Sequence, residues 1–183
     1  MSEKNKGNTK ALQSQKFIEE ALFKLMEKEP YHKITIQEIA DMAQLSRRTF
    51  YRNYEVKEDV ILGYFHRICK EYEANLRVAD NLSLSGIATV FFSTMQKHLD
   101  FLFLINKNYL VELLIREMDA FLLPLHQELK GKSYDDDLEL TRIALTFSIG
   151  GFGRILVLWL NKGAKKTPEE LAMLLGKALQ LIM

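Results

Sequence analysis

Three guanidiniums crowd one short stretch of this chain. The segment from Ser46 to Tyr54, SRRTFYRNY, holds Arg47, Arg48 and Arg52 beside two tyrosines and no acid. Arginines without acidic neighbours suit anion recognition. The guanidinium is permanently charged, and its planar fork of donors fits a phosphate or the O6/N7 edge of guanine. Other chemistry is poorly supplied. His32, His66, His98 and His126 are scattered, and none forms the His-x-x-x-His spacing that puts two imidazoles on one helix face. Cys69 is the single cysteine, which excludes an intrachain disulfide and a cysteine-based zinc site. No glycine-rich phosphate loop and no Gly-x-Ser-x-Gly elbow occurs. These residues predict a binding protein rather than an enzyme, with no cofactor and no metal.

The elements that position the arginines are helices. Strand alternation is nearly absent, while apolar residues recur with a period of 3.6 along the whole chain. In the first helix Phe17, Ile18, Ala21, Leu22 and Leu25 form the inward stripe, Glu19, Glu20, Lys24 and Glu27 face out, and Pro30 ends it. In the second, Thr35 is the N-cap and Glu38 completes a capping box, with Ile34 and Ile39 as the hydrophobic staple. Ile36, Ile39, Ala40 and Ala43 face inward. After a short Ala-Gln-Leu turn, Ser46 caps a third helix, Arg47 to Tyr54, anchored by Leu45 and Phe50. Two short helices joined by a tight turn make a helix-turn-helix, whose second helix enters the DNA major groove.

A fourth helix runs from about Val56 to Asp80 with Ile61, Leu62, Phe65, Ile68, Cys69, Tyr72 and Leu76 as its stripe. Further helices are expected near 84–105, with a break around His98, and near 109–130, 137–161 and 168–182. Pro124 should kink the second of these. Asp135, Asp136 and Asp137 suit a helix N-terminus, where negative charge complements the dipole. Thr167, Pro168 and Glu170 open the last helix.

Net charge over 183 residues is only +1, but it is unevenly spread. Residues 1–57 carry eleven Lys/Arg against eight Asp/Glu, and residues 58–183 carry fourteen against sixteen. The polar N-terminus, MSEKNKGNTK, lacks the apolar region of a signal peptide, so a cytoplasmic home is expected, with residues 1–10 as a mobile basic arm.

The stretch ITIQEIADMAQLSRRTFYRNYEVKEDVI resembles the DNA-binding domain of TetR-family transcriptional regulators, with the likeness spanning about Gln13 to Phe65. It includes a threonine opening helix 2, a serine opening helix 3, an aromatic at position 54, and Lys57-Glu58 opening helix 4. The resemblance implies an all-α fold: a three-helix DNA-binding domain over 1–57, then a helical ligand-binding and dimerisation domain over 58–183. It implies DNA contacts that begin at Ser46, the cap of helix 3, with base contacts from Arg47 and Arg48. Thr49 is implied at a thymine methyl or a phosphate, Thr35, Tyr51 and Arg52 at phosphates, and Lys57 as the phosphate-binding lysine. Phe50 and Tyr54 are implied to pack the core. Three positions depart from the pattern. Gln44 stands where a glycine is common, and a left-handed conformation there costs about 1–2 kcal/mol. Glu55-Val56 stand before Lys57, and Val56 cannot cap helix 4.

A homodimeric, cytoplasmic repressor binding a near-palindromic double-stranded operator follows from the resemblance, with release by a small apolar effector. Effector-pocket candidates are Phe91, Met95, Phe103, Leu113, Met118 and Phe121, a set that also reads as plain core. The stretch Ile143 to Leu160 holds one charge in eighteen residues. It reads as a dimer helix, and alternatively as the anchor of a membrane-associated or protein-binding adaptor. Arg154 opposes the membrane reading, at about 2.5–3.5 kcal/mol near a bilayer centre. The expected interface comprises Gly151, Gly153, Leu156, Leu160, Leu171, Leu175 and Leu179.

Overall fold

The computed structural model describes residues 3–130 and 138–182. Among these residues the chain forms nine α-helices, one 3-10 turn and no strand. The order is α1 (Glu3–Lys28), the turn Tyr31–Lys33, α2 (Ile36–Met42), α3 (Arg47–Asn53), α4 (Lys57–Arg77), α5 (Leu84–Gln96), α6 (Leu99–Lys107), α7 (Val111–Lys130), α8 (Leu138–Asn161) and α9 (Pro168–Ile182). The break expected near His98 separates α5 from α6, with His98 itself out of helical geometry. α7 continues through Pro124. Asp135, Asp136 and Asp137 lie outside the described residues, as do the first two residues of the expected arm. Its residues 3–10 belong to α1.

Two compact units divide the chain, Met1–His66 and Arg67–Met183. The division falls inside α4 rather than at its start. The physical reason is that the first turns of α4 are core to the first unit. Val60 and Ile61 are fully buried, and Tyr64 meets Phe23 of α1 edge-on at 5.4 Å.

In the first unit α1, α2 and α3 pack on one another. Ile18, Leu22, Met26, Ile39 and Phe50 are all fully buried, each worth about 1.5–3 kcal/mol against exposure. Two residues of α1 differ from the periodic expectation. Phe17 is exposed, and Glu19 is buried with its carboxylate accepting a hydrogen bond from the Tyr54 hydroxyl at 3.4 Å. The phenol of Tyr54 gives that side of α1 a polar contact, which a hydropathy pattern does not register.

The second unit is built on aromatic packing. α9 packs on α5, and both α6 and α7 pack on α8. Phe91 stacks on Phe152 at 5.4 Å, and Phe92 meets Trp159 edge-on at 5.9 Å. The indole N–H of Trp159 donates to the Lys166 carbonyl at 2.9 Å, which ties down the loop before α9. Thr167 and Glu170 then form a capping box, as expected. Cys69 is buried, and burial together with the Glu117 charge pushes its thiol up to about 12.

Candidate nucleic-acid interface

The local signals around the arginines act as their chemistry requires. Thr35 caps α2: its hydroxyl accepts from the Glu38 amide at 3.2 Å, and the Glu38 carboxylate accepts from the Thr35 amide at 2.8 Å. Hydrogen bonds from Thr35, the side-chain one first, hold the Glu38 carboxyl below the usual glutamate range. The turn after α2 is a Schellman motif. The Leu45 amide donates to the Ala40 carbonyl at 2.9 Å, and the Gln44 amide donates to Asp41 at 3.0 Å. Gln44 adopts the left-handed φ of 55° that this motif demands. Ser46 then caps α3, accepting from the Thr49 amide at 3.1 Å.

On α3 the residues segregate by face. Arg47, Arg48, Tyr51 and Arg52 are exposed, spaced as one side of a helix, while Phe50 is fully buried on the other. Among the described residues no carboxylate pairs with these three arginines. The Tyr51 hydroxyl accepts from Arg47 Nη2 at 3.3 Å, so the two are loosely paired along the face. A cationic face with a phenol, rigidly anchored from behind, can bind a polyanion and read acceptors on its edge.

Two expected contacts sit differently. Thr35 spends both of its donors on Glu38, with its hydroxyl donating to that carboxylate at 2.7 Å. Lys57 turns inward: its ammonium donates to the carbonyls of Tyr31 at 2.8 Å and Ile34 at 2.7 Å and rests over the Tyr31 ring. Sequence reasoning also missed Asp59. Its carboxylate accepts from the amides of Glu55 and Val56 at 2.8 and 2.9 Å and so caps the approach to α4, a task Val56 cannot perform. An acid two residues into a helix was the available signal.

In the second unit, a cavity of about 240 Å³ is lined by Tyr72, Leu76, Leu125, His126, Ile149 and Phe152, among others. None of the six expected pocket residues lines it. Phe91, Met95 and Met118 are buried in the core, Leu113 and Phe121 are half-buried, and Phe103 is partly exposed. Phe91 backs the cavity, packing on Tyr72 at 5.9 Å as well as on Phe152. The aromatic stripe fills space that an apolar pattern alone left undetermined.

The expected interface residues also divide. Leu156, Leu160 and Leu171 are buried within the protomer itself. Gly153 is buried too, because a Cβ there would lie 2.7 Å from the Ile115 side chain. These four pack the chain's own core. Leu175 and Leu179 are half-buried, and Gly151 is exposed with open space beside it. The uncovered apolar face of α8 consists of Leu140, Ile143, Phe147 and Leu158, and that of α9 of Met173, Leu174 and Leu181. α8 is long and apolar enough to cross a membrane by length and composition, with 28% of its apolar window buried in one protomer.

Residues 18–63 match a model described as "Bacterial regulatory proteins, tetR family". No curated protein matches the chain. Among solved structures, Lin0861 from Listeria innocua is 19% identical with a TM-score of 0.71, covering 96% of this chain and 93% of its own. The dihydroxyacetone kinase operon activator DhaS is 20% identical with a TM-score of 0.50, covering 92% of this chain and 93% of its own. At these identities the likeness is one of fold.

Proposed function

We propose, from the match of residues 18–63 to the tetR family of bacterial regulatory proteins, that the whole chain is a sequence-specific transcriptional regulator working as a cytoplasmic homodimer. The observation that carries this reading is the acid-free face of α3, with Arg47, Arg48, Tyr51 and Arg52 exposed and Phe50 locked beneath. Arg47 and Arg48, in the first turn, are the proposed readers of base edges. Ser46, Thr49, Tyr51 and Arg52 are the proposed backbone contacts, and Thr35 joins them only if Glu38 releases its hydroxyl.

A dimer is supported by the large apolar residues left uncovered on α8 and, separately, on α9. Runs of exposed large apolar side chains along a helix are unusual on a soluble monomer. Leu140, Ile143, Phe147 and Leu158 on one copy would meet their equivalents on the other, and Gly151 permits close approach there. The same face answers the membrane reading. Arg142 and Arg154 are exposed along α8, and one apolar helix is no sufficient ground for an anchor. Two α3 helices would then enter successive major grooves about 34–36 Å apart on a near-palindromic operator.

We read the second unit as regulatory, with its cavity as the seat of a small apolar effector. Its walls are aliphatic and aromatic apart from the polar atoms of Tyr72, His126 and Ser148. Repression is the proposed sense. DhaS is an operon activator, so a reporter gene placed downstream of the bound site decides the sign. The test of the reading itself is selection of bound duplexes from a random pool, repeated with Arg48→Ala. A palindromic consensus that loses definition at one position per half-site in the variant supports it. Equal retention of all sequences by both proteins sinks it.

A further inference from the structure

The geometry points to Lys57 as a positioning residue that latches the connector before α2 onto the head of α4, and not as a phosphate contact. An ammonium group has three donors. Two are spent on backbone carbonyls, Tyr31 at 2.8 Å and Ile34 at 2.7 Å, and the charge lies 4.3 Å from the centre of the Tyr31 ring. Both carbonyls belong to the connector between α1 and α2. Tyr31 opens its 3-10 turn, and Ile34 is the residue immediately before the Thr35 cap.

The position is otherwise a poor one for a cation. Lys57 is the first residue of α4, where the helix dipole disfavours positive charge. Carbonyl oxygens and a ring face compensate for that placement, and all three lie on the connector side. Tyr31 is buried, Ile34 is nearly fully buried, and Lys57 is half-buried. The latch therefore closes a loop. α2 leads through the Schellman turn to α3, α3 leads through Tyr54–Val56 to α4, and Lys57 returns from α4 to the start of α2. Opening it frees the α2–α3 pair to tilt against α1 and α4, carrying the arginine face with it. Swinging the ammonium out to a phosphate would leave the Tyr31 carbonyl with the Ile34 amide alone, at 3.2 Å, and would break the 2.7 Å bond to the Ile34 carbonyl, a cost in lost charge-assisted hydrogen bonds.

This inference rests on the proposed DNA-binding role, and the experiment separates the two. The full chain and its Lys57→Met variant are titrated with random-sequence duplexes over a range of salt, at a temperature where circular dichroism shows both folded. Wild type that does not bind the duplex at low salt ends the DNA-binding reading. With binding established, a positioning lysine predicts that folded Lys57→Met binds several-fold more weakly with the slope of log K against log salt unchanged. It also predicts that Lys57→Arg, whose fork can reach both carbonyls, recovers affinity. A slope that shrinks by about 1 per protomer identifies a phosphate contact and overturns the latch. Wild-type affinity in Lys57→Met overturns it as well. Should Lys57→Met not fold, the wild-type Lys57 ammonium resonance decides. A signal slow to exchange with water and unmoved by added duplex supports the latch, and one that exchanges freely or shifts on binding overturns it.

Discussion

The two units of this protein are held in different ways. The first is punctuated by polar contacts over three to five residues: the Thr35–Glu38 box, the Gln44 Schellman turn, the Ser46 cap and the Asp59 cap. The second has such devices too, at Ser83, at the left-handed turns of Tyr109 and Gly163 and at Thr167–Glu170, but its core is joined in addition by aromatic contacts between distant residues, such as Phe91 with Phe152 and Phe92 with Trp159. Local punctuation sets the angle between short helices and so holds the arginine face of α3, the proposed reading face, in place. The second unit also holds a cavity and exposed apolar residues, which fit the regulatory and pairing role proposed for it.

The strongest test of that contrast lies on α8. Leu156→Glu places a carboxylate at a site only 5% exposed, and should cost several kcal/mol and remove cooperative thermal unfolding of the second unit. Phe147→Glu, at a site 70% exposed, should leave helical circular dichroism intact and shift sedimentation from dimer to monomer. If Leu156→Glu gives a well-folded monomer, the pairing side of α8 has been placed backwards.

On the reading face, Arg47→Ala or Arg48→Ala should lose about 1–3 kcal/mol on the selected operator without altering the melting temperature. Loss of stability in place of affinity would move these arginines from recognition to support. The caps come next. Thr35→Ala should cost about 1 kcal/mol in urea unfolding, within the range of about 0.5–2 for lost caps. It should lower operator affinity as well, whereas Thr167→Ala in the second unit should lower stability alone. Equal effects of both on affinity would break the division of labour.

Gln44→Gly should stabilise the first unit by about 1 kcal/mol, because glycine takes the left-handed φ without the clash a Cβ meets. No gain would mean that the glutamine side chain contributes something the turn needs. The smallest effect concerns pH. Thr35 lowers the Glu38 pKa, so the stability from the ionised carboxylate is present above the ordinary glutamate value of about 4.3 and is lost as pH falls through the lower folded value. Glu38→Gln should flatten that acid limb of the unfolding curve, and an unchanged limb would assign the loss to other carboxylates.

Which parts were legible follows from how far each cause reaches along the chain. A cap, a staple and a short turn are decided by residues three to five apart, so Thr35, Glu38, Gln44 and Ser46 mark out α2 and α3 within a dozen residues of sequence. Phe50 at the opposite phase from Arg47, Arg48 and Arg52 does the same for the exposed face. Pro168 behind Thr167 marks the start of α9 equally well.

α8 is where this reach ends. A helix apolar all round has no phase, so its sequence determined that it must be covered and not which side the protomer covers itself. Only packing against α5, α6 and α7 decided that Leu156 and Leu160 turn inward and Phe147 and Leu158 outward. The cavity is of the same kind, since a void is set by which of many apolar side chains meet across helices distant in sequence. Lys57 is the third case. Its sequence determined a cation at the head of α4, but its partners lie 26 and 23 residues back along the chain, and the tertiary fold brought those carbonyls within reach of the ammonium.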